Sequence, residues 1–150
     1  MAHKDIIADT QREWRELGFY YDRDDDSFEW QIIGSRAGLL RFTEIVKAYA
    51  TSANPDDAEG YIEIGPYSYL KLGSAPEAEI TDDWIAAPGA DFIKLADSID
   101  KLAASAKPGS SFSLRPSFAP DEPYDLICHL RADEFDPASA DPVCNDDAAP

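Results

Sequence analysis

Basic residues are scarce in this chain of 150 residues, in which thirteen Lys and Arg stand against thirty Asp and Glu. The formal net charge is −17, and the excess of acid is concentrated in residues 51–150, which hold twenty acidic and six basic residues. A surface with this charge repels nucleic acid and anionic membranes and attracts basic proteins. We therefore expect no nucleic-acid partner and no membrane partner.

Cysteine and histidine are also scarce, with two of each in the chain. Cys128 and His129 are adjacent in a predicted strand, so their side chains point to opposite faces and cannot form a nucleophile–base pair with each other. Two cysteines are a poor disulfide framework, and together with two histidines they are a poor zinc site. We expect reduced thiols, no metal, no cofactor and no identifiable catalytic residue.

Long apolar runs are missing too. No stretch approaches the roughly 18 consecutive apolar residues that identify a membrane span. Residues 1–5 lead into a polar helical pattern and not into the apolar core of a signal peptide. We expect a cytoplasmic protein.

Two binding motifs begin in the sequence, but neither is complete. Asp22, Asp24 and Asp26 occupy the first, third and fifth positions of an EF-hand loop. Ser27 then stands where the loop needs Gly, and Ile33 stands where a bidentate Glu should close the cage, so the run indicates a solvent-facing hairpin turn. The stretch GSRAG at residues 34–38 lies between a strand and a helix but lacks the glycine pattern of a phosphate loop, which indicates an ordinary turn before a capped helix.

The hydrophobic pattern that is present predicts both helices and strands. Apolar residues spaced three and four apart predict helices at residues 4–17, 36–50 and 90–107. Alternating residues predict strands at 19–21, 28–33, 61–64, 67–72, 112–114 and 124–130, with a short one at 84–85. This order predicts the α+β class, with a single antiparallel or mixed β-sheet and the two long helices 36–50 and 90–107 packed on one face.

The length fits one domain, which we place at residues 1–131. Residues 132–150 contain no basic residue and few apolar ones. That composition predicts an acidic, poorly ordered C-terminal tail.

The segment from residue 56 to residue 83 places aromatic residues among carboxylates. The candidate partner-binding residues are Asp56, Asp57, Glu59, Tyr61, Glu63, Tyr67, Tyr69, Asp82 and Asp83. Protein interfaces are enriched in tyrosine, and negatively charged rims steer basic partners. The same pattern also fits an ordinary sheet, in which half of the rings face the core and the acids only hydrate the surface.

Four stretches of the chain carry a resemblance to a known family: GFYYD at residues 18–22, GSRAGLLRF at 34–42, GPYSYLKL at 65–72 and FDPASADP at 135–142. Together they resemble a family of small, largely uncharacterised bacterial proteins, some of which are described as immunity proteins of polymorphic toxin systems. The resemblance implies a compact α+β protein that binds and neutralises a cognate toxin. It implies no catalytic residues, and it suggests that the start of the C-terminal tail is ordered against the body.

The leading hypothesis is a non-enzymatic acidic protein-binding module whose partner is a basic protein, such as a basic toxin. One alternative is a small-molecule binding or sensing domain with a pocket lined by Tyr67, Tyr69 and Trp84. A second is an uncharacterised carboxylate-dependent hydrolase, because thirty acids ensure that some carboxylates lie close together. A third is a homo-oligomer formed by pairing of exposed tyrosine-rich strands.

Overall fold

The computed structural model describes residues 2–52 and 60–145 of the chain. This part contains four α-helices and two small mixed β-sheets, so the predicted α+β class is confirmed. The helices are α1 (Ala2–Leu17), α2 (Arg36–Ser52), α3 (Gly89–Ser105) and α4 (Pro142–Asn145). The strands are β1 (Tyr20–Asp24), β2 (Glu29–Gly34), β3 (Tyr61–Ile64), β4 (Leu70–Gly73), β5 (Glu79–Ile80), β6 (Ile85–Ala86), β7 (Ser111–Ser113) and β8 (Asp125–Leu130). Two 3₁₀ helices span Pro66–Ser68 and Pro137–Ala140.

The strands form two four-stranded sheets with the same kind of topology. The first has the order β1-β2-β8-β7 and the second the order β3-β4-β6-β5. In each sheet two antiparallel pairs meet at a central parallel pair, which is β2 with β8 in the first and β4 with β6 in the second. The prediction of a single sheet is therefore wrong. Alternation in the sequence identifies the two faces of a strand but not its neighbours, and β5 and β6 are too short to show any period.

Two of the long helices pack against each other. α2 contacts α3 along its length, and it also lies against β2 and β8 of the first sheet. Tyr49 of α2 and Phe92 of α3 meet edge to face, with ring centroids 5.8 Å apart. The prediction of two long helices on one face is incomplete, because α1 is a third long helix and contacts α4 and the 3₁₀ helix Pro137–Ala140.

α1 ends where its sequence requires. Gly18 has a φ of 95° and donates its amide hydrogen to the carbonyl oxygen of Trp14. A residue with a Cβ is strained at this left-handed φ, so glycine is the residue that ends the helix and turns the chain into β1. None of the helices in the described part of the chain is long and apolar enough to span a membrane.

The buried apolar side chains form one cluster that reaches both sheets and all three long helices. Its largest fully buried members are Trp14, Trp30, Phe19, Phe42 and Phe92. Complete burial of one large apolar side chain contributes about 1.5–3 kcal/mol to the free energy of unfolding. This shared core holds the two sheets in a fixed relation, which sets the geometry of the surface described below.

Residues 132–145, which the sequence predicts to be part of a poorly ordered tail, instead carry two short helices that pack on α1. Arg15 of α1 forms a salt bridge of 2.9 Å with Asp136, and Gln11 Nε2 donates to the carbonyl oxygen of Cys144. Ala138 and Cys144 are buried against the core. Composition alone misses this order because it comes from a few specific contacts and not from a hydrophobic pattern.

Candidate functional site

The most unusual backbone in the described chain lies between β3 and β4, in residues 65–69, which we call the tyrosine turn. Gly65, Tyr67 and Ser68 have φ values of 73°, 70° and 55°. The prediction that Tyr67 belongs to a strand is wrong, because this conformation reverses the chain. Left-handed backbone costs energy at Tyr67 and Ser68, and strain of this kind is concentrated at functional sites in proteins.

The tyrosine turn presents two aromatic rings to solvent. Tyr69 is 63% exposed and Tyr67 is 42% exposed. The two rings are stacked, with centroids 5.4 Å apart and planes 29° apart. The pair is a flat aromatic surface on the outside of the protein, of the kind that anchors protein interfaces.

Tyr21 of β1 holds the backbone of the tyrosine turn. Its hydroxyl lies 2.6 Å from the carbonyl oxygens of both Ile64 and Pro66, and it accepts a hydrogen bond from the Tyr69 amide at 3.3 Å. The one phenolic hydrogen can be donated to only one of the two carbonyl oxygens at a time. Burial raises the pKa of Tyr21 to about 12, so the hydroxyl stays protonated and able to donate at neutral pH.

Asp141 holds the side chain of Tyr67. Its Oδ2 atom accepts hydrogen bonds from the Tyr67 hydroxyl at 2.6 Å and from Trp14 Nε1 at 2.8 Å, and the residue is only 3% exposed. Burial acts to raise the pKa of Asp141, but the hydrogen bonds from Tyr67, Trp14 and the Val143 amide outweigh it and hold the pKa below its usual value. Asp141 is therefore ionised at neutral pH and fixes Tyr67 in one orientation.

The outer face of the second sheet carries a second group of predicted site residues. Lys71 of β4 lies 5.6 Å from the centre of the Tyr61 ring and 3.6 Å from the Asp83 carboxylate. Glu63 is the residue directly opposite Lys71 on β3. Trp84 covers the same face beside Gly73, where a Cβ atom would come within 2.3 Å of the indole ring. Aromatic and charged side chains thus lie together on this face.

A small pocket of about 140 Å³ connects the tyrosine turn with the first sheet. It is lined by Tyr21, Asp22, Arg23, Trp30 and Tyr69. Arg23 lies over the Trp30 ring, pairs with Asp25 at 2.8 Å and donates to the backbone oxygen of Asp82. Arg23 consequently joins the β1–β2 turn to the turn before β6.

The acidic turn at residues 22–26 borders the same pocket through Asp22. Asp24 accepts hydrogen bonds from the amides of Asp26 and Ser27, which fixes the turn locally. Phe28 leaves the predicted strand with a φ of 58° and is 54% exposed, with its ring edge to face on Tyr124. In the described part of the chain, no group of three or more His, Cys, Asp and Glu is arranged to hold a metal ion.

The structure brings together most of the predicted site residues that it describes. Tyr67 and Tyr69 share the tyrosine turn, Tyr61, Glu63 and Asp83 surround Lys71, and Asp82 contacts Arg23. Asp56, Asp57 and Glu59 lie outside the described residues. The sequence prediction identified the acidic turn at 22–26 but did not place it at the site, and it missed the basic residues Arg23 and Lys71. Lys71 could have been found, because it is the sole Lys or Arg between Lys47 and Lys94 in the sequence.

Cys128, Cys144 and the Ser111–His129 pair lack features that activate a catalytic nucleophile. Burial raises the pKa of the Cys128 thiol far above neutrality and that of Cys144 to about 11, so both thiols stay protonated. His129 Nδ1 lies 2.7 Å from the Ser111 hydroxyl across the β7–β8 pair, but its Nε2 atom is buried with no hydrogen-bond partner among the described residues. Among the described residues, therefore, no carboxylate orients the His129 imidazole of this Ser–His pair.

Comparisons of the chain with protein-family models, with curated proteins and with solved structures found no match.

Proposed function

We propose that this chain is a non-enzymatic, acidic protein-binding module, and that the surface around the tyrosine turn binds a basic protein. The observation that carries the proposal is the stacked, exposed pair Tyr67 and Tyr69, held by hydrogen bonds to Asp141 and Tyr21 and bordered by the Asp22 carboxylate. Aromatic anchors surrounded by a polar rim are the usual anatomy of a protein interface.

The anchors are ordered before any partner binds. The Tyr67 ring is fixed by Asp141, and the backbone of Tyr69 is fixed by Tyr21. A side chain that is free in solution loses about 0.5–1.5 kcal/mol of conformational entropy when an interface immobilises it. The Tyr67 side chain has lost much of this entropy on folding, and stacking on Tyr67 restricts the Tyr69 ring, which favours binding through them.

The charges around the anchors favour a basic partner. Asp22, Asp24 and Asp26 lie in the turn next to the pocket, and Glu63 lies on the neighbouring sheet. Arg23 and Lys71 neutralise part of this field through Asp25 and Asp83. Lys and Arg residues of a partner would pair with the carboxylates that have no cationic partner among the described residues. They would also compete with Arg23 and Lys71 for Asp25 and Asp83.

The resemblance to immunity proteins suggests a biological form for this activity. In that form the partner is a basic toxin, and the acidic surface covers the groove that would otherwise take a negatively charged substrate. The net charge of −17 is consistent with fast, electrostatically steered association with such a toxin.

The alternative of a small-molecule binding domain has less support at the tyrosine turn. The pocket at Tyr21 and Tyr69 holds about 140 Å³, whereas sites for drug-sized ligands occupy about 300–1,000 Å³. Arg23, which would be its ligand-binding group, is already engaged with Asp25 and the Asp82 backbone.

The experiment that tests the proposal is capture of a partner from lysate of the native cell at low salt, followed by elution with high salt. We expect a basic protein in stoichiometric amount that Tyr69→Ala fails to retain and that salt releases. Asp97→Asn is the control, because it removes one charge from the exposed face of α3, where Asp97 pairs with Lys47 at 3.4 Å, and leaves the tyrosine turn unchanged. Recovery of no basic protein, or equal retention by Tyr69→Ala and Asp97→Asn, would contradict the proposal.

A further inference from the structure

β3 is the edge strand of the second sheet. It pairs with β4 on one side, and the described part of the chain places no strand on its other side. An edge strand presents a row of amide hydrogens and carbonyl oxygens that another extended chain can use. β3 is also exposed, since Tyr61, Ile62 and Glu63 all face solvent.

The register shows which backbone groups of β3 point outward. The Ser74 amide donates to the carbonyl oxygen of Gly60 at 3.0 Å, so Gly60 and Ser74 form a hydrogen-bonded pair. Such pairs alternate along an antiparallel ladder, and therefore Ile62 and Ile64 bond to β4 through their backbone. The amides and carbonyls of Tyr61 and Glu63 point away from β4, toward the open edge.

The side chains along this edge indicate what kind of chain would fit. Tyr61 and Glu63 lie on the outer face, and Ile62, 37% exposed, lies on the face that carries the buried Leu72. An added strand would place alternate residues beside Tyr61 and Glu63 and the intervening residue beside Ile62. The complementary sequence alternates Lys or Arg with apolar residues.

The charge of the protein favours a strand from a basic partner over a strand from a second copy of this chain. Lys71, the residue opposite Glu63, pairs with Asp83, so within the described residues Glu63 keeps a carboxylate that can meet a cation. Two copies of a chain with a net charge of −17 repel each other, whereas a basic segment is attracted. A second copy would also bring another Glu63 and another acidic surface to the edge.

We infer that an extended segment of a basic partner binds to β3 as an added strand, hydrogen-bonded to the backbone of Tyr61 and Glu63, with its basic residues beside Glu63 and the Tyr61 ring. The inference rests on the proposed function, because it specifies how the basic partner is held. Main-chain hydrogen bonds to β3 then provide the affinity, and the alternation of basic and apolar side chains in the partner segment provides the selectivity.

The test uses the full-length ¹⁵N-labelled protein and a short synthetic peptide that alternates Lys or Arg with Val. In the free protein we expect fast amide exchange at Tyr61 and Glu63 and slow exchange at Ile62 and Ile64. The peptide should slow the exchange at Tyr61 and Glu63. A peptide N-methylated at the residues that face β3 should fail to do so, since it cannot donate the strand hydrogen bonds.

Two variants separate the backbone contribution from the charge. Glu63→Pro removes the outward amide hydrogen without removing a bond to β4, and proline is tolerated on an edge strand in this position. Glu63→Pro also removes the carboxylate, so we expect it to weaken peptide binding about thirtyfold, about tenfold for one hydrogen bond left unmade and about threefold for the lost charge. Glu63→Gln, which removes only the charge, should weaken it about threefold. Equal binding by the two variants would overturn the inference.

Other outcomes also separate the inference from the proposed function. Peptide-induced shifts at Tyr67 and Tyr69 with unchanged exchange at Tyr61 and Glu63 would overturn edge binding and leave the basic-partner function standing. Protection of Tyr61 and Glu63 that rises with protein concentration, without peptide, would place a second copy at the edge and overturn the inference. If the lysate yielded no basic partner but the peptide still slowed exchange at Tyr61 and Glu63, the proposed function would be rejected and the inference about β3 would stand.

Discussion

The Tyr67 hydroxyl donates a hydrogen bond of 2.6 Å to Asp141, a residue 74 positions away in the sequence. The same carboxylate oxygen accepts the indole hydrogen of Trp14 from α1. One buried carboxylate therefore joins the tyrosine turn, the N-terminal helix and the C-terminal segment. This arrangement makes the geometry of an exposed aromatic pair depend on the docking of residues 136–145.

Removal of the Tyr67 hydroxyl tests this dependence. Tyr67→Phe keeps the stacked ring but deprives Asp141 of a charge-assisted hydrogen bond, so we expect the free energy of unfolding to fall by about 1–3 kcal/mol. Tyr69→Phe is the matched control, because its hydroxyl makes no hydrogen bond among the described residues, and it should change the free energy by less than about 0.5 kcal/mol. Urea unfolding measures both. Equal effects of the two variants would show that the Asp141 contact contributes nothing to stability.

Acid should weaken the docking of the C-terminal segment. The folded-state pKa of Asp141 lies below its usual value near 3.8, so its contribution to stability is fully present above that value and is lost as the pH falls through the lower folded-state pKa. Asp136, held low mainly by its hydrogen bond with Arg15, acts in the same direction. Asp141→Asn should therefore flatten the fall in stability below about pH 4 relative to the unmodified chain. Unfolding curves measured across this pH range would reject the role of Asp141 if both proteins lost stability in parallel.

The sequence predicts the helices and strands better than it predicts how they assemble. The spacing of Ile7, Trp14 and Leu17 predicts α1, and the alternation of Trp30 and Ile32 predicts the buried face of β2, because both signals are local. The division into two sheets depends on pairings such as β4 with β6, which bring together residues that no local pattern relates. The order of residues 136–145 depends likewise on single contacts of Asp136 and Asp141.

The candidate site follows the same rule. Tyr67 and Tyr69 are visible in the sequence as aromatic candidates. The positive φ at Tyr67 is not visible, and the turn that contains it is bonded to Tyr21, which is distant in the sequence. Asp22 is visible as an acid in a turn, and only the fold shows that it lies beside Tyr69. A sequence pattern identifies the residue types of the surface, and the tertiary structure decides which of them are neighbours.

Tyr21→Phe should loosen the tyrosine turn. The change leaves the carbonyl oxygens of Ile64 and Pro66 without their buried donor, for which we expect a loss of about 1–3 kcal/mol in the free energy of unfolding. The Tyr69 amide, which loses its acceptor, should exchange with solvent faster. Tyr20→Phe is the control, since Tyr20 is also buried but makes no side-chain hydrogen bond among the described residues. A change in Tyr69 exchange as large in Tyr20→Phe as in Tyr21→Phe would contradict the prediction.

Gly73→Ala should displace Trp84 from the outer face of the second sheet. The new Cβ would lie 2.3 Å from the indole ring, so the ring has to move and its hydrogen bond of 3.0 Å to Glu79 is lost. We expect a destabilisation of about 1–3 kcal/mol, in the range for overpacked sites. The double variant Gly73→Ala with Trp84→Ala isolates the cause, because the alanine should cost little once the ring is gone. A penalty that persists in the double variant would mean that the backbone, and not Trp84, requires glycine.

Lys71→Gln should strengthen the binding of a basic partner. Lys71 neutralises Asp83 and lies opposite Glu63, so its removal frees one carboxylate and removes the cation that competes for the other. We expect about fivefold tighter binding at low salt, equivalent to about 1 kcal/mol, and a smaller gain at high salt because screening weakens exposed pairs. Lys94→Gln makes the protein equally more negative from an exposed position on α3, and it should change the affinity by less than about twofold. If titration calorimetry gave the same gain for both variants, net charge alone would explain the effect and the surface around Lys71 would have no specific part in binding.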